Sequence, residues 1–301
     1  MHETPIIEVE NLTKRYGDTT AVEGLNFSVK QGEVIGFVGL NGAGKSTTIN
    51  MLLGFQRPSN GTVTLFGENV TLANAHLSHR EIGFATGDMS LFDGMTGKQY
   101  LAFVARTYGR PLESDAYRSL VQRFEPQLNK KLKTLSRGNR QKIALISAFM
   151  SEPKLIILDE PSSGLDPLMQ QHFLDLVRDV SSKGTTIFMS SHYLKEVVDV
   201  CSRVLLIKQG RLVKDLLTTE LERTAGKLVR VATKAEVTPP KIAELVERER
   251  HDNLYVLQFV FRGMAVDLQG WLSTLGDLQD LTVSDDSALA AFEDLYEEEA
   301  V

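Results

Sequence analysis

Residues 39–47 read GLNGAGKST and match the pattern G-x-x-x-x-G-K-[ST]. An apolar strand pattern, GEVIGFV, precedes them, and a segment with helical apolar spacing, STTINMLL, follows and ends at Gly54. Glycines let successive backbone N–H groups turn inward around phosphate oxygens, and the helix start presents its positive end at the same point. The stretch therefore predicts a strand, a phosphate-binding loop and a helix.

Two side chains of this loop have distinct predicted roles. The Lys45 ammonium is expected to reach the β- and γ-phosphates of a nucleotide, and the Ser46 hydroxyl is expected to bind Mg²⁺. The remaining predicted nucleotide contacts come from the loop itself and the helix start, at Gly39, Asn41, Gly42, Ala43, Gly44 and Thr47.

The second motif is the nearly unbroken apolar run LIILDEP at residues 155–161, which is typical of a parallel strand buried on both faces. Such a strand places its terminal carboxylate at the carboxyl edge of the sheet, where bound phosphates also lie. Asp159 can then hold Mg²⁺. Glu160, one residue later, can orient and deprotonate a water for attack on the γ-phosphorus.

A third motif, LSRGNRQ at residues 135–141, lies between the other two. By itself it fits a helix N-cap at Ser136. In this position it resembles the signature of the ATP-binding-cassette (ABC) family, whose usual form is LSGGQ. The resemblance implies that Ser136 and the Gly138 backbone bind the γ-phosphate of an ATP held by the partner subunit's phosphate loop.

The resemblance covers residues 1 to about 219. Within this range, three positions outside the motifs described so far also fit the family. Tyr16 is similar to the family's aromatic residue that stacks on adenine. Asp166, in SSGLD, resembles the D-loop aspartate, which crosses the dimer interface. His192, after the strand TTIFMSS, resembles the switch histidine, which contacts the γ-phosphate and holds the catalytic water and Glu160 in register.

The sequence departs from the family pattern in two places. Gly87 stands where the family has a glutamine that touches Mg²⁺ and the attacking water, so either Asp88 reaches the metal or the γ-phosphate is sensed through backbone and water. Arg137 and Asn139 replace the first glycine and the glutamine of the signature, while Ser136 and Gly138 are kept. The contact with ATP across the dimer is expected to survive, and Arg137 is either a solvated charge or an extra contact.

The resemblance implies an α/β fold with a P-loop NTPase core, a parallel or mixed sheet, and a helical subdomain inserted at about residues 87–152. The ABC nucleotide-binding domain is predicted to span residues 1–219, and a small accessory α+β domain residues 220–301. Within the second domain the pattern predicts strands at KLVRVAT, NLYVLQFVF and LQDLTVS, and helices at PPKIAELVERE, AVDLQGWLST and SALAAFEDLYEEE.

Composition excludes several classes of function. The chain has 301 residues, 42% hydrophobic, and a net charge of −6, and residues 220–301 carry 17 acidic against 8 basic side chains, so we expect no nucleic-acid partner. We expect no bilayer-spanning run and no secretory signal. The one cysteine, Cys201, is expected to be a small buried hydrophobe.

We therefore expect an ATPase whose two copies close over two ATP molecules and drive export through a separate membrane subunit, at the cytoplasmic face of the membrane. The resemblance implies a groove near residues 87–96, around LFDGM, that receives a helix of that subunit. The carboxy-terminal extension resembles that of export-type cassettes with ABC-2-type membrane partners.

Two alternatives stay open at this point. One is a non-transport cassette ATPase acting on the ribosome or DNA, although such relatives have tandem cassettes or long coiled coils, which this sequence lacks. The other is a P-loop kinase or GTPase, which would lack both the signature and the strand-end histidine. The transported substrate, a homodimer against a heterodimer, and the role of residues 220–301 are not encoded in the motifs.

Overall fold

The computed structural model of the chain describes residues 4–86, 92–220, 226–251 and 253–284. The chain divides into two compact units, Met1–Asp215 and Leu216–Val301. The predicted metal-binding alternative at Asp88, the departure at Gly87 and the predicted helix SALAAFEDLYEEE lie outside the described residues.

The first part of the chain alternates strands with helices. Up to Leu217 the elements in chain order are β1 (Ile7–Tyr16), β2 (Thr19–Val29), β3 (Val34–Val38), α1 (Lys45–Leu52), β4 (Asn60–Leu65), β5 (Glu68–Asn69), α2 (Ala75–Ser78), β6 (Ile82–Thr86), α3 (Gly97–Thr107), α4 (Asp115–Phe124), α5 (Arg137–Phe149), β7 (Leu155–Asp159), α6 (Pro167–Ser181), β8 (Thr186–Ser191), α7 (Leu194–Val200), β9 (Arg203–Lys208) and β10 (Arg211–Leu217).

A six-stranded sheet in the order β10-β9-β3-β8-β7-β6 forms the centre of this unit, and β6, β7, β8, β3 and β9 run parallel. All residues of β3 and β8 are buried, which explains the unbroken apolar run of β3 and the apolar centre of β8. In register, Asp159 lies beside Thr86 on one side and Ser190 on the other. The loop after β3 and the residues after Asp159 therefore meet at one edge of the sheet.

A second, antiparallel sheet in the order β2-β1-β4-β5 packs with the first around one hydrophobic core. Phe27 of β2 stacks on Phe188 of β8 with ring centroids 5.9 Å apart, and Phe37 of β3 lies 5.4 Å from Phe188. Aromatic pairs at these separations add to the gain from area burial. The core thus fixes β3, and with it the loop that leads to α1.

Helix α5 contacts the edge strand β6 without an intervening side chain. A Cβ atom at Gly83 would lie 1.9 Å from the Ala148 carbonyl oxygen, so only glycine fits there. The Tyr108 hydroxyl, from the end of α3, donates to the Ile82 carbonyl oxygen beside it. The three helices α3, α4 and α5 lie between β6 and β7 in the chain, and α5 is anchored directly on the sheet.

Within the described residues, the second unit contains a four-stranded antiparallel sheet and a helix packed on it. Trp271 packs its ring 5.1 Å from that of Phe259, which fixes the helix on one face of the sheet. The strand order is β12-β13-β11-β14. The elements are β11 (Lys227–Thr233), β12 (Ala243–His251), β13 (Leu254–Phe261), α8 (Ala265–Leu272) and β14 (Leu278–Ser284).

The predicted helix PPKIAELVERE is wrong, because residues 243–251 form strand β12. Its residues are good helix formers, but the helical apolar pattern is short. Strand β13 needs a hydrogen-bonding partner on the side away from β11, and β12 pairs with it from Ala243 to His251. Backbone pairing in the sheet outweighs the local helix propensity.

Candidate active site

The loop between β3 and α1 can be built only with glycine at two of its positions. A Cβ atom at Gly39 would lie 2.4 Å from the Ile207 carbonyl oxygen. At Gly44 the backbone φ is +107°, and a Cβ atom would lie 2.7 Å from the Ala21 carbonyl oxygen. The loop therefore curls against strands β9 and β2, with Gly42 and its neighbour Asn41 exposed at the tip and Ala43 buried.

Lys45 is the first residue of α1 and is only 5% exposed. Its ammonium donates to the carbonyl oxygens of Gly39, at 2.6 Å, and Leu40, at 3.2 Å, and so closes the loop. It also lies 3.2 Å from Glu160 Oε1, which makes an ion pair. That oxygen has no hydrogen-bond partner among the described residues, so the contact is electrostatic rather than a directed hydrogen bond.

Glu160 lies between the Lys45 ammonium and an imidazole. His192 Nδ1 is 2.5 Å from Glu160 Oε2, so each carboxylate oxygen faces one nitrogen-bearing side chain. Glu160 has a backbone φ of +51°, a left-handed conformation that is costly for a residue with a Cβ. The turn at the end of β7 therefore aims the carboxylate toward the phosphate loop. The structure brings three of the predicted site residues into direct contact.

Ser190, which the sequence analysis did not single out, links the two acidic residues. Its hydroxyl accepts the Glu160 backbone N–H at 3.0 Å and donates to Asp159 Oδ1 at 2.6 Å. One hydroxyl thereby orients both the first carboxylate and the strained peptide after it. The available signal was a pair of serines ending an otherwise apolar buried strand.

The residues present fit a magnesium ion by donor type. Asp159 offers a half-buried carboxylate, Ser46 offers an exposed hydroxyl, and α1 packs against β7. Hard oxygen donors suit Mg²⁺, which usually takes one or two carboxylates and completes its shell with phosphates and water. In the part of the chain that is described, no group of three or more His, Cys, Asp or Glu side chains could hold a metal, so the nucleotide would have to supply further ligands.

The signature residues lie at the start of α5. Ser136 is the N-cap, and its hydroxyl accepts the Asn139 backbone N–H at 3.3 Å. Gly138 is packed so closely that a Cβ atom there would lie 2.6 Å from the Gly164 carbonyl oxygen. Asp166 caps α6 and accepts the Met169 N–H at 3.0 Å. No hydrogen bond or ion pair within the described residues joins these three positions to the lysine or the histidine.

Tyr16 ends strand β1 and is 47% exposed. Its hydroxyl donates to Gln56 Oε1 at 2.6 Å, and the Lys14 ammonium lies 5.1 Å from its ring centroid. These contacts fix the ring and leave much of it accessible. A planar base can stack on such a ring, and stacking of Tyr16 on adenine stays a prediction.

The comparisons with known proteins decide the family. The sequence pattern of the ABC transporter family matches residues 22–163. The bacitracin transport ATP-binding protein BcrA of Enterococcus faecalis is 34% identical over 256 residues, which is 84% of this chain and 82% of that protein. The chain belongs to the ABC transporter ATP-binding family. The cassette is accordingly an ATPase, and the predicted family is confirmed.

Two further relatives agree. The daunorubicin/doxorubicin resistance ATP-binding protein DrrA of Streptomyces peucetius is 35% identical over 227 residues, 74% of this chain and 68% of that protein. A solved structure of the ATP-binding subunit of an ABC transporter superposes with a TM-score of 0.64 at 30% sequence identity. The superposition covers 73% of the present chain and 92% of the solved one. The predicted α/β fold class is confirmed. Among the described residues, no helix is long and apolar enough to cross a bilayer.

Glu196 is a half-buried carboxyl beside the candidate active site, and the sequence motifs did not indicate it. It lies in the first turn of α7, and its Oε2 accepts the hydroxyls of Ser162 at 2.8 Å and Ser191 at 3.4 Å. Burial raises the pKa of Glu196, the two serine hydrogen bonds lower it, and the nearby Glu160 charge raises it while His192 lowers it. The net effect is a pKa above the ordinary value.

The raised pKa of Glu196 predicts a pH-dependent stability. The folded state holds this proton more tightly than the unfolded state, so stability falls as pH rises from the ordinary value of 4.5 through the raised one. Glu196→Gln keeps an oxygen that can accept from Ser162 but cannot ionise. Between about pH 5 and about pH 8, the parent should therefore lose more in Tm than the variant. Exposed Glu68→Gln is the control, and equal pH profiles for the parent and Glu196→Gln would contradict the assignment.

Cys201 is buried next to the end of α7, as the sequence predicted. Burial raises the pKa of its thiol far above the ordinary value, and the charge on Glu196 adds to the effect. Because the thiolate is the reactive form, we expect the Cys201 thiol to react slowly in the folded protein.

Proposed function

We propose that the chain is the ATP-hydrolysing subunit of an exporter, and that two copies close over two ATP molecules to drive a separate membrane subunit. The observation that carries the proposal is the contact series from Lys45 through Glu160 to His192 at one edge of the sheet. The names of two relatives, one for bacitracin transport and one for daunorubicin/doxorubicin resistance, support the direction of transport.

In the proposed reaction the γ-phosphate takes the place of Glu160 at the lysine. The Lys45 ammonium has donors for phosphate oxygens as well as for the loop carbonyls, so a triphosphate can compete with the carboxylate for it. Glu160, released from the lysine, orients a water and accepts its proton. His192 keeps its contact with Glu160 and holds the carboxylate, the water and the phosphate in line.

Magnesium would be held by Ser46 and Asp159, and when bound it would neutralise charge on the phosphates. Ser190 fixes the Asp159 carboxylate by a 2.6 Å hydrogen bond, so this ligand is oriented in advance. The cofactors of the proposed activity are thus ATP and Mg²⁺, with Asp88 remaining a proposed additional ligand.

Each chain would hold only half of each catalytic site. Helix α5 has 13 residues, and its start, with Ser136 as the N-cap and Gly138 in the first turn, is exposed. The N-terminus of such a helix favours an anionic ligand. We place the γ-phosphate of the partner's ATP there, with Asp166 at the interface between the two copies. Residues 1–219 would form this dimerising cassette, and residues 220–301 an accessory domain.

The proposed contact with the membrane subunit is an aromatic surface formed by Phe92, Tyr100 and Phe103. Phe92 and Phe103 are 42% and 41% exposed, and their ring centroids are 5.2 Å apart. Tyr100 is buried beneath them, 6.0 Å from Phe92. Phe92 belongs to the segment, residues 87–96, that the sequence analysis assigned to a membrane subunit's helix, and Tyr100 and Phe103 follow on α3. Exposed aromatic rings on a buried aromatic base are well suited to anchor a partner.

Copurification from detergent extract tests this function. A tagged chain should bring down an integral membrane protein and show ATPase activity. Phe103→Ser should weaken the association by about 10- to 100-fold, because burying a Phe side chain is worth about 1.5–3 kcal/mol. ATP binding should be unchanged, since Phe103 lies on α3, away from the phosphate loop.

Exposed Leu72→Ser is the matched control for that experiment, since it also removes an exposed apolar side chain from the first unit. If the chain instead copurified with ribosomes or DNA, the non-transport alternative would replace the exporter. Retention of the membrane protein by Phe103→Ser would remove the aromatic surface from its role.

A further inference from the structure

Arg137 contacts the turn that follows Glu160. Its Nη2 donates to Ser163 Oγ at 2.7 Å. The aliphatic part of the side chain lies over Gly164, where a Cβ atom would be 3.0 Å from Arg137 Cγ and 3.1 Å from Cδ. Arg137 is therefore exposed and at the same time in contact with this turn, through Ser163 and Gly164.

The turn at residues 161–165 is held by three residues of α5 in total. Besides Arg137, the buried Gln141 donates from Nε2 to the Pro161 carbonyl oxygen at 2.7 Å. Gly138 lies in backbone contact with Gly164. The first turns of α5 thus pack against one side of the 161–165 turn.

The same turn is directly coupled to Glu160. The Ser163 backbone N–H donates to the Glu160 carbonyl oxygen at 3.2 Å, which closes the turn. Glu160 has a backbone φ of +51°, and such conformations persist where the surroundings over-determine them. A side chain that restrains Ser163 therefore also restrains the backbone that aims the Glu160 carboxylate.

We propose that Arg137 is a positioning residue for Glu160, acting through Ser163. The start of α5, which carries the signature residues, then sets the geometry of the water-activating carboxylate in the same chain. Its catalytic consequence rests on the proposed role of Glu160 in hydrolysis. The guanidinium is exposed, so the effect is that of a partly solvated hydrogen bond to a charged group. We expect a change in the rate of hydrolysis and not in the affinity for ATP.

A double-mutant cycle on the full chain tests the proposal. Arg137→Ala and Ser163→Ala should each lower kcat by about three- to tenfold at unchanged ATP Kd, which corresponds to the loss of one such bond. The double variant should be no slower than the slower single variant, because both changes break the same contact. Ser163→Thr, which keeps the hydroxyl, should retain the parental kcat.

The control is Arg118→Ala, which removes an arginine from the first turn of another serine-capped helix, where it pairs with Asp115 and not with the 161–165 turn. It should retain the parental kcat. Additive losses in the double variant, a parallel loss of ATP affinity, or an equal loss in Arg118→Ala would overturn the proposal.

Amide hydrogen exchange separates this proposal from the proposed function. In Arg137→Ala and Ser163→Ala the amides of residues 163 and 165, which bond within the turn, should exchange several-fold faster than in the parent. If the parent hydrolysed no ATP, the proposed function would fail, while faster exchange in both variants would still support the contact. Unchanged exchange in both would overturn the positioning role whatever the ATPase rate.

Discussion

Replacement of Glu160 by glutamine is expected to lower the rate of ATP hydrolysis by about 10²- to 10⁴-fold, the range typical for loss of a general base. Glutamine has nearly the same shape, and its amide can still lie between Lys45 and His192. It cannot accept a proton from water. The backbone turn and the Ser190 hydrogen bond to residue 160 N–H do not depend on the side chain, so folding should be preserved.

ATP binding should survive in Glu160→Gln and become tighter at Lys45, because the carboxylate that competes for the ammonium has lost its charge. With Mg-ATP present, the variant should accumulate as a nucleotide-bound dimer, seen as a doubled mass in light scattering coupled to size-exclusion chromatography. Phosphate release measures the rate, and equilibrium dialysis with labelled ATP measures the affinity.

The chain offers a close control for this substitution. Glu152 also has a left-handed backbone, with φ +48°, but its side chain is exposed and it precedes strand β7, whereas Glu160 follows that strand. Glu152→Gln should hydrolyse ATP at the parental rate and show the parental dimerisation. Parental hydrolysis by Glu160→Gln would remove Glu160 from catalysis, and a variant that stayed monomeric with Mg-ATP and no other cassette would contradict the shared sites.

Lys45→Ala is expected to weaken ATP binding by about 10- to 100-fold and to abolish measurable hydrolysis at limiting nucleotide. Each charge-assisted hydrogen bond from the ammonium to a phosphate oxygen is worth about 1.5–3 kcal/mol, and about 1.4 kcal/mol is a tenfold change. The substitution also removes the donor to the Gly39 carbonyl oxygen, so the phosphate loop loses a hydrogen bond that closes it. Isothermal titration with ATP and with ADP measures the loss.

The two nucleotides give different expectations for Lys45→Ala. The loss of affinity should be larger for ATP than for ADP, because the γ-phosphate is predicted to be a principal partner of the ammonium. Lys154→Ala is the control, since this exposed lysine pairs with Glu81 and precedes the same strand β7. Unchanged ATP affinity in Lys45→Ala would contradict the phosphate cradle.

The motifs predicted the edge of the sheet where the catalytic groups meet, because their positions follow from general rules of parallel strands. An apolar run that ends in Asp159 and Glu160 must deliver both to the carboxyl edge, and the glycine loop after β3 reaches the same edge. The contacts among Lys45, Glu160 and His192 could therefore be anticipated by role, although not by distance.

The remaining features depend on which side chains the fold places side by side. The hydrogen bonds of Ser190 and Glu196 and the Arg137–Ser163 bond connect residues 26 to 34 positions apart. Apart from the serine pair that ends β8, no local pattern distinguishes these residues from other serines and charges. Strand β12 was missed for the same reason, since its partner β13 decides its conformation. Local propensity is a weak guide wherever a neighbouring strand supplies the hydrogen bonds.

The backbone contact at Gly83 has a mechanical consequence. Strand β6 and helix α5 have no flexible side chain between them at that point, so neither can slide without displacing the other. We therefore expect a displacement of β6 to move α5 as well, and the opposite end of this helix carries Ser136 and Arg137. The absence of a side chain at Gly83 thus couples the positions of two elements from different parts of the chain.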